Sequence, residues 1–311
     1  MNKLKVSVYL NDRPVCNMTH LSKKYLPFIT FFLLCFIWSS TWVAIKIGLV
    51  SLPPFLSAGL RFILAFLFLS VFAITKKIEF PKSLKTHLFL FVFGMILFTG
   101  GYSFVYWGQQ HISSGLASVL FSVFPFYVLL FSAWLLPKEK ISLKKATGVF
   151  VGFVGIVIIF WDKIEFEDSS KFAIWGMVAF LIGPIFSSLG TILAKKASNT
   201  INPITLNTLP MLYTSISFLI ISYFYESDLQ PVFDAYAIFS ILYLALFGTA
   251  IAFVLYFWML KNTSPVLMSM ITYVTPPLAL IWGWVIFDET ISPILILGLL
   301  IIFFGIGILK R

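Results

Sequence analysis

Apolar runs of about 20 residues recur along the whole chain, broken only by short polar stretches, and each is long enough to cross a bilayer as a helix. The pattern predicts ten spans, near residues 26–46, 55–75, 87–109, 115–136, 145–161, 172–194, 203–224, 236–259, 265–287 and 292–309. The connections between them are too short to hold a second, soluble domain. The expected fold class is therefore all-α, a polytopic membrane protein. Composition points the same way: 60% of the 311 residues are hydrophobic and 11% charged. A soluble core of this size would need far more polar residues to cover it.

The runs are not independent of one another. Residues 138–159, KEKISLKKATGVFVGFVGIVII, match residues 288–309, DETISPILILGLLIIFFGIGIL, at a shift of 150. Glu139 falls on Glu289, Ile141 on Ile291, Ser142 on Ser292, Gly148 on Gly298 and Gly155 on Gly305. The same shift, carried backwards without a gap, sets Tyr106 on Tyr256, Ser114 on Ser264 and Trp134 on Trp284. At a shift of 149, Lys46 meets Lys195 and Pro54 meets Pro203. The chain thus reads as two five-span halves. Five is odd, so the second half enters the membrane from the opposite side: an inverted repeat, with a pseudo-two-fold axis in the membrane plane and a site near the midplane between the halves.

Charge fixes the expected orientation. Residues 1–24, with Lys3, Lys5, Arg13, Lys23 and Lys24 but no compact apolar region, read as a cytoplasmic tail rather than a signal peptide. Both termini are expected inside, because the tail, the loops on its side and the C-terminus then carry 18 of the 22 Lys and Arg residues. The net charge of +10 is accordingly a topology signal and not a nucleic-acid footprint. All twelve carboxylates fall in loops, three inside (Asp12, Glu79 and Glu139) and the rest outside, so none lies at membrane depth. His20, His87 and His111 also lie outside the spans or at their edges. Cys16 in the tail and Cys35 in the first span are not expected to pair, and no metal or cofactor site is expected.

Proline and polar side chains mark candidate functional positions. Pro125 sits in span 4 and Pro276 and Pro277 in the corresponding span 9; Pro184 and Pro210 lie within spans 6 and 7. A proline inside a helix frees a carbonyl, and paired interruptions in matching helices point to a transport site. Trp38, Trp42 and Lys46 share one face of span 1, and Ser187, Thr191 and Lys195 hold the matching places in span 6. Tyr102, Tyr106 and Gln110, with Gln109 beside them, line up in span 3; Ser118 and Ser122 precede Pro125. Tyr256 and Trp258 belong to span 8, and Thr272, Tyr273 and Thr275 to span 9. These residues are read as pore candidates, although hydroxyls also bond their own helix and aromatics also anchor at interfaces. Spans 5 and 10 carry Gly148, Gly152 and Gly155, and Gly298, Gly305 and Gly307, with almost no polar side chains. They read as packing helices outside the path.

The stretch WSSTWVAIKIGLVSLPPFLSAGLRF and the doubled Glu-x-Ile-Ser followed by Gly, at 139–148 and 289–298, resemble EamA-type carriers of the drug/metabolite transporter superfamily. The resemblance covers residues 26–309. It implies a first repeat over 25–161, an outer linker at 162–171 and a second repeat over 172–311. It also implies an inner- or plasma-membrane location and a central cavity lined mainly by helices 1, 3, 4, 6, 8 and 9. The expected function is alternating-access transport of a small metabolite, with export of amino acids or related carboxylates as the leading reading. A sugar, nucleotide or cofactor-like cargo, taken up or exchanged, is the alternative, and a receptor or scaffold the reading from another class. An enzyme is not expected, since no paired Asp, Ser/His set or metal cluster falls in the spans. The partners expected are the substrate and the lipid bilayer, not nucleic acid, with the chain a monomer or homodimer.

Two cations stand apart. Lys46 ends span 1 and Arg61 lies early in span 2, both on the outer side, where the loop pattern does not explain them. Snorkelling to the interface is one account. The repeat suggests another, with Lys46 and Lys195 near the two gates and Arg61 supporting the outer one.

Overall fold

A computed structural model describes residues 20–112, 114–136, 142–160, 171–278 and 293–310. Among them there are helices and no strands, as an environment without water requires: a helix satisfies its own backbone polar groups. The helices are α1 (His20–Gly48), α2 (Pro54–Thr75), α3 (Leu84–Gln109), α4 (Ser114–Leu135), α5 (Leu143–Phe160), α6 (Lys171–Ala197), α7 (Pro203–Tyr225), α8 (Ala235–Asn262), α9 (Pro265–Ser269, resuming over 271–278) and α10 (Pro293–Lys310). Seven of them, α1–α4 and α6–α8, are long and apolar enough to cross a membrane. Each helix overlies one of the ten spans read from the hydropathy pattern. The tail as far as residue 19, the loop at 137–141 with Glu139, the linker at 161–170 and residues 279–292, with Trp284 and Glu289, lie outside the described residues.

Starts are set by local chemistry. Proline opens α2, α7 and α9, where its missing N–H costs nothing. Asn202, Asp234 and Ser264 then accept from backbone N–H groups of the first turns of α7, α8 and α9 at 2.8, 2.7 and 3.2 Å. Glu226, at the end of α7, accepts from Phe55 N and Leu56 N at 2.8 and 2.9 Å, filling free donors of α2.

The pseudo-two-fold is visible in the packing. Helices α2 and α7, equivalent in the two halves, pack along each other, as do α5 and α10, while α1 against α8 is mirrored by α6 against α3. Cβ atoms built at Gly148 and Gly305 would lie 2.8 Å from the other residue's carbonyl oxygen; at Gly155 and Gly298 the distances are 2.8 and 2.9 Å. Gly148 thus meets the equivalent of Gly155, and Gly155 the equivalent of Gly148, the reciprocity of an isologous contact. These glycines let α5 and α10 touch backbone to backbone. Gly152 also faces the Tyr273 ring, and a Cβ at Gly307 meets nothing within 4 Å, so Gly307 takes no part in this seam.

Helix irregularities are only partly where proline predicts them. α4 turns at residues 122–123, directly before Pro125, but α9 is interrupted at Met270, ahead of Pro276 and Pro277, which sit in its continuing helix. α6 and α7 run through Pro184 and Pro210 without a break. Instead, α3 and α8 each contain a π-helical segment, Met95–Gly100 and Leu244–Ile251. These overlap at the repeat shift of 150, and no proline marks either.

Candidate functional site

The helices enclose a cavity of about 100 Å³ at the centre of the bundle. α1 contributes Trp38, Thr41, Trp42 and Ile45, and α3 contributes Leu97, Tyr102 and Val105. Ser187 and Thr191 of α6 and Phe253 and Tyr256 of α8 form another side. Phe121 and Phe124 of α4 and Met268, Ile271, Thr272 and Thr275 of α9 close it. Aromatic rings pack around it: Trp42 lies 5.4 Å from Phe121 and Trp38 5.4 Å from Tyr256, centroid to centroid. The Thr191 and Tyr256 hydroxyls are 3.4 Å apart across the α6–α8 side.

One cation enters this apolar chamber. Arg61 of α2 is 1% exposed and lines the cavity. It does not snorkel: the guanidinium turns inward and spans to α8. Its Nε donates to Thr249 Oγ1 at 2.6 Å, Nη2 to the Gly248 carbonyl at 3.3 Å and Nη1 to the Tyr106 hydroxyl at 3.4 Å. The Tyr102 ring lies 4.9 Å from the guanidinium carbon, in cation–π range. Every one of these partners is neutral, and the sequence places no carboxylate in any span. A buried charge without a counter-charge is costly, and an ionisable group at membrane depth marks a functional position.

The model of the EamA-like transporter family matches residues 26–161 and again 174–311. The chain belongs to the EamA-like transporter family. It is 31% identical over 273 residues to the Bacillus subtilis (strain 168) protein named "Uncharacterized transporter YoaV", covering 87% of this chain and 91% of that one. It is 29% identical over 286 residues to the Escherichia coli (strain K12) protein named "Uncharacterized inner membrane transporter YedA", covering 91% and 90%. A protein crystal structure 17% identical in sequence shares the fold, with a TM-score of 0.77 over 92% of this chain and 96% of that one. The protein is thus a multi-pass membrane transporter of the EamA type.

Within this EamA architecture the sequence-predicted residues separate into groups. Trp42, Arg61, Tyr102, Ser187, Thr191, Tyr256 and Thr272 line the cavity. Tyr106 stands behind Arg61, fully buried. Gln109 is buried above Trp42, donating to its carbonyl at 3.1 Å, with Oε1 unpartnered among the described residues. Ser118 and Ser122 are not on the lining. Ser118 bonds the Gly115 carbonyl, and Ser122 bonds both Ser118 O and the carbonyl of its repeat equivalent, Thr272, at 3.2 Å. Tyr273 points away to the Val149 carbonyl on α5 at 3.0 Å, Gln110 is exposed and bonds Trp107 O, and Trp258 packs against the core.

Lys46 and Lys195 also stand off the cavity. Lys46 Nζ donates to the Gln109 and Ile112 carbonyls at 3.0 and 3.2 Å, at the end of α3. Lys195 Nζ donates to the Leu260, Lys261 and Thr263 carbonyls at 2.8, 3.2 and 3.0 Å, at the end of α8. The pair is symmetry-related, and each cation sits on the carbonyls at the negative end of a helix dipole. This geometry gives both a capping task.

Among the described lining residues α2 contributes Arg61 alone, which adds a helix to the cavity expected from the family. Gly248, Thr249 and Thr41 were missed. A Gly-Thr pair inside an apolar run carries no signal until a π-helical turn presents its carbonyl and hydroxyl to the interior. Beyond the end of α3, burial and the Lys46 ammonium hold the His111 imidazole below its ordinary pKa. Asp234 accepts from Ser51 Oγ at 2.6 Å, and this bond, with the Ala237 N–H, holds its carboxyl below the usual range.

Proposed function

We propose that this transporter carries small monocarboxylates with an apolar body, amino acids among them, by alternating access and in the direction of export. Arg61 carries the reading. It is a fully buried cation in an aromatic- and hydroxyl-lined cavity, held among the described residues by neutral groups alone. A guanidinium binds a carboxylate through two parallel N–H bonds, and such a ligand supplies the missing counter-charge. One cation balances one negative charge. A phosphate ester or dicarboxylate would bring a second negative charge that no second cation of the described lining meets, whereas an amino acid's ammonium can lie against the hydroxyls and aromatic faces of that lining; this speaks against a nucleotide or sugar-phosphate cargo. The Phe121, Phe124, Met268 and Ile271 side chains favour an apolar tail. The excess of Lys and Arg in alternate loops supports a cytoplasmic-membrane topology with both termini inside.

The test is flux in proteoliposomes with radiolabelled acids, comparing wild type with Arg61→Gln. Loss of a charge-assisted contact worth about 1.5–3 kcal/mol lowers carboxylate affinity about 10- to 100-fold, with membrane insertion unchanged. Undiminished carboxylate transport by Arg61→Gln, or equal transport of phosphate esters by wild type, defeats the reading.

A further inference from the structure

Arg61 belongs to the first half of the chain, and the groups that hold it, Gly248 and Thr249, belong to the π-helical segment of α8 in the second. The bond therefore crosses the interface at which the two halves of an inverted-repeat carrier move. In a π-helical turn, hydrogen bonds run from i to i+5, the ladder is locally loosened, and such turns gather at functional sites. Here the Gly248 carbonyl receives two side-chain donors from the first half, Trp38 Nε1 at 3.2 Å and Arg61 Nη2 at 3.3 Å. Thr249 Oγ1 accepts from Arg61 Nε while donating to Leu244 O at 2.7 Å, five residues back, so the same hydroxyl serves the π turn and the guanidinium. The fit is close: a Cβ at Gly248 would lie 2.8 Å from Thr41 Cγ2 and 3.4 Å from Arg61 Nη2.

We propose that Gly248 and Thr249 are the resting berth of Arg61, and that the anionic group of the substrate lifts the guanidinium off this berth and so frees the π turn of α8 to move. The proposal rests on the carboxylate reading above and adds the step by which occupancy becomes motion. A guanidinium has five N–H donors, and among the described residues three bonds engage it, two of them at 3.3 and 3.4 Å. Donor capacity is left for a ligand on the cavity side. A carboxylate bond is about twice as strong as one to a neutral acceptor, so an arriving carboxylate outcompetes a hydroxyl and a carbonyl.

The other half supplies an internal comparison. The repeat equivalent of Thr249 is Thr99, in the π-helical segment of α3. Thr99 Oγ1 donates to Thr214 Oγ1 of α7 at 3.4 Å, and Thr214 in turn donates to Gly94 O at 3.3 Å. This berth is filled by a threonine, which no anion attracts. Of the two matching π segments, the one in α8 alone answers to a bound carboxylate.

The experiment uses the full chain in nanodiscs and three matched probe pairs: acetate and acetamide, L-leucine and L-leucinamide, phenylacetate and phenylacetamide. Dissociation constants are measured together with amide hydrogen exchange across residues 244–253 and 95–101. In wild type, a carboxylate that binds speeds exchange across 244–253 about 10-fold, its amide does not, and 95–101 is unmoved. Thr249→Val removes the berth: 244–253 exchanges fast without ligand, the carboxylate binds roughly 10-fold tighter because no docked state competes with it, and flux falls. Thr249→Ser restores wild-type behaviour. Wild-type affinity in Thr249→Val, with or without reduced thermal stability, overturns the berth and leaves the carboxylate reading standing. Arg61→Gln that still separates carboxylate from amide overturns the carboxylate reading itself. Failure of every carboxylate to bind wild type overturns both.

Discussion

Gly305→Ala and Gly307→Ala make a matched pair of substitutions on α10, two residues apart, and the seam with α5 separates their outcomes. Either change gains the helix propensity of alanine over glycine, about 1 kcal/mol. At Gly305 the added Cβ would lie 2.8 Å from Gly148 O, 2.8 Å from Gly152 N and 3.2 Å from Gly152 Cα. All three are backbone atoms of α5 and cannot swing aside, so the helices must part by about 0.5 Å, a gap that forfeits about a quarter of the dispersion well at each contact. That loss is shared by the mate contact, Gly155 with Gly298, where backbone distances are equally short. Overpacking of this kind costs about 1–3 kcal/mol. A Cβ at Gly307 meets nothing within 4 Å. Gly307→Ala is therefore neutral to slightly stabilising, and Gly305→Ala falls below it by about 1–3 kcal/mol, a difference of a few degrees in melting temperature. The assay is thermal unfolding of the detergent-purified protein followed by tryptophan fluorescence. Equal melting temperatures for the two variants, or a higher one for Gly305→Ala, would refute the seam.

Two further predictions concern His111 and Asp234. Lys46→Gln removes a charge that depresses the His111 pKa, so that pKa rises on substitution; it stays below the ordinary imidazole value because burial is the larger cause. Histidine NMR across a pH titration checks both parts, and an unmoved pKa would show that Lys46 does not act on the ring. For Asp234 the folded pKa is depressed, chiefly by Ser51, so its stabilising contribution is present above the unfolded value and lost as pH falls through the folded one. The melting-temperature gap between wild type and Asp234→Asn should accordingly be widest at neutral pH and close below the usual carboxylate range.

The ten helices were legible in the sequence because a bilayer leaves the backbone no alternative, so an apolar run of sufficient length already states its secondary structure. The packing role of α5 and α10 was legible for a related reason, since small residues at matched positions mean close approach; that the two helices approach each other was not. Lys46 and Lys195 show where this kind of reading ends. Their spacing from Trp42 and Thr191 places each on the face that feeds the cavity, and from that alone they look like guards of its mouths. What occupies each position is the exposed carbonyl end of a neighbouring helix, α3 or α8. Periodicity along one helix says which residues share a face, but not which helix end that face meets. The π turns escaped for a similar reason, since the change from i+4 to i+5 bonding leaves no mark in composition.

Arg61 was visible as an anomaly, and its position in the repeat explains why it matters. At the shift that pairs Lys46 with Lys195, Arg61 falls on Pro210, so the one charge among the described lining residues has no counterpart in the second half. Nearly everything else around the site is doubled: the capping lysines, the π segments, the threonines at 99 and 249, the tyrosines at 106 and 256. A scaffold doubled in this way supplies two similar conformations of comparable energy, as alternating access requires, but symmetry alone cannot make either of them respond to cargo. A single cation on one side breaks the balance. On the carboxylate reading proposed above it gives the ligand a definite orientation, with the anion towards α2 and α8 and the apolar tail towards α4 and α9. It also makes the two π segments chemically unlike, so that under the proposed coupling filling the cavity acts on one half of a fold whose halves otherwise match.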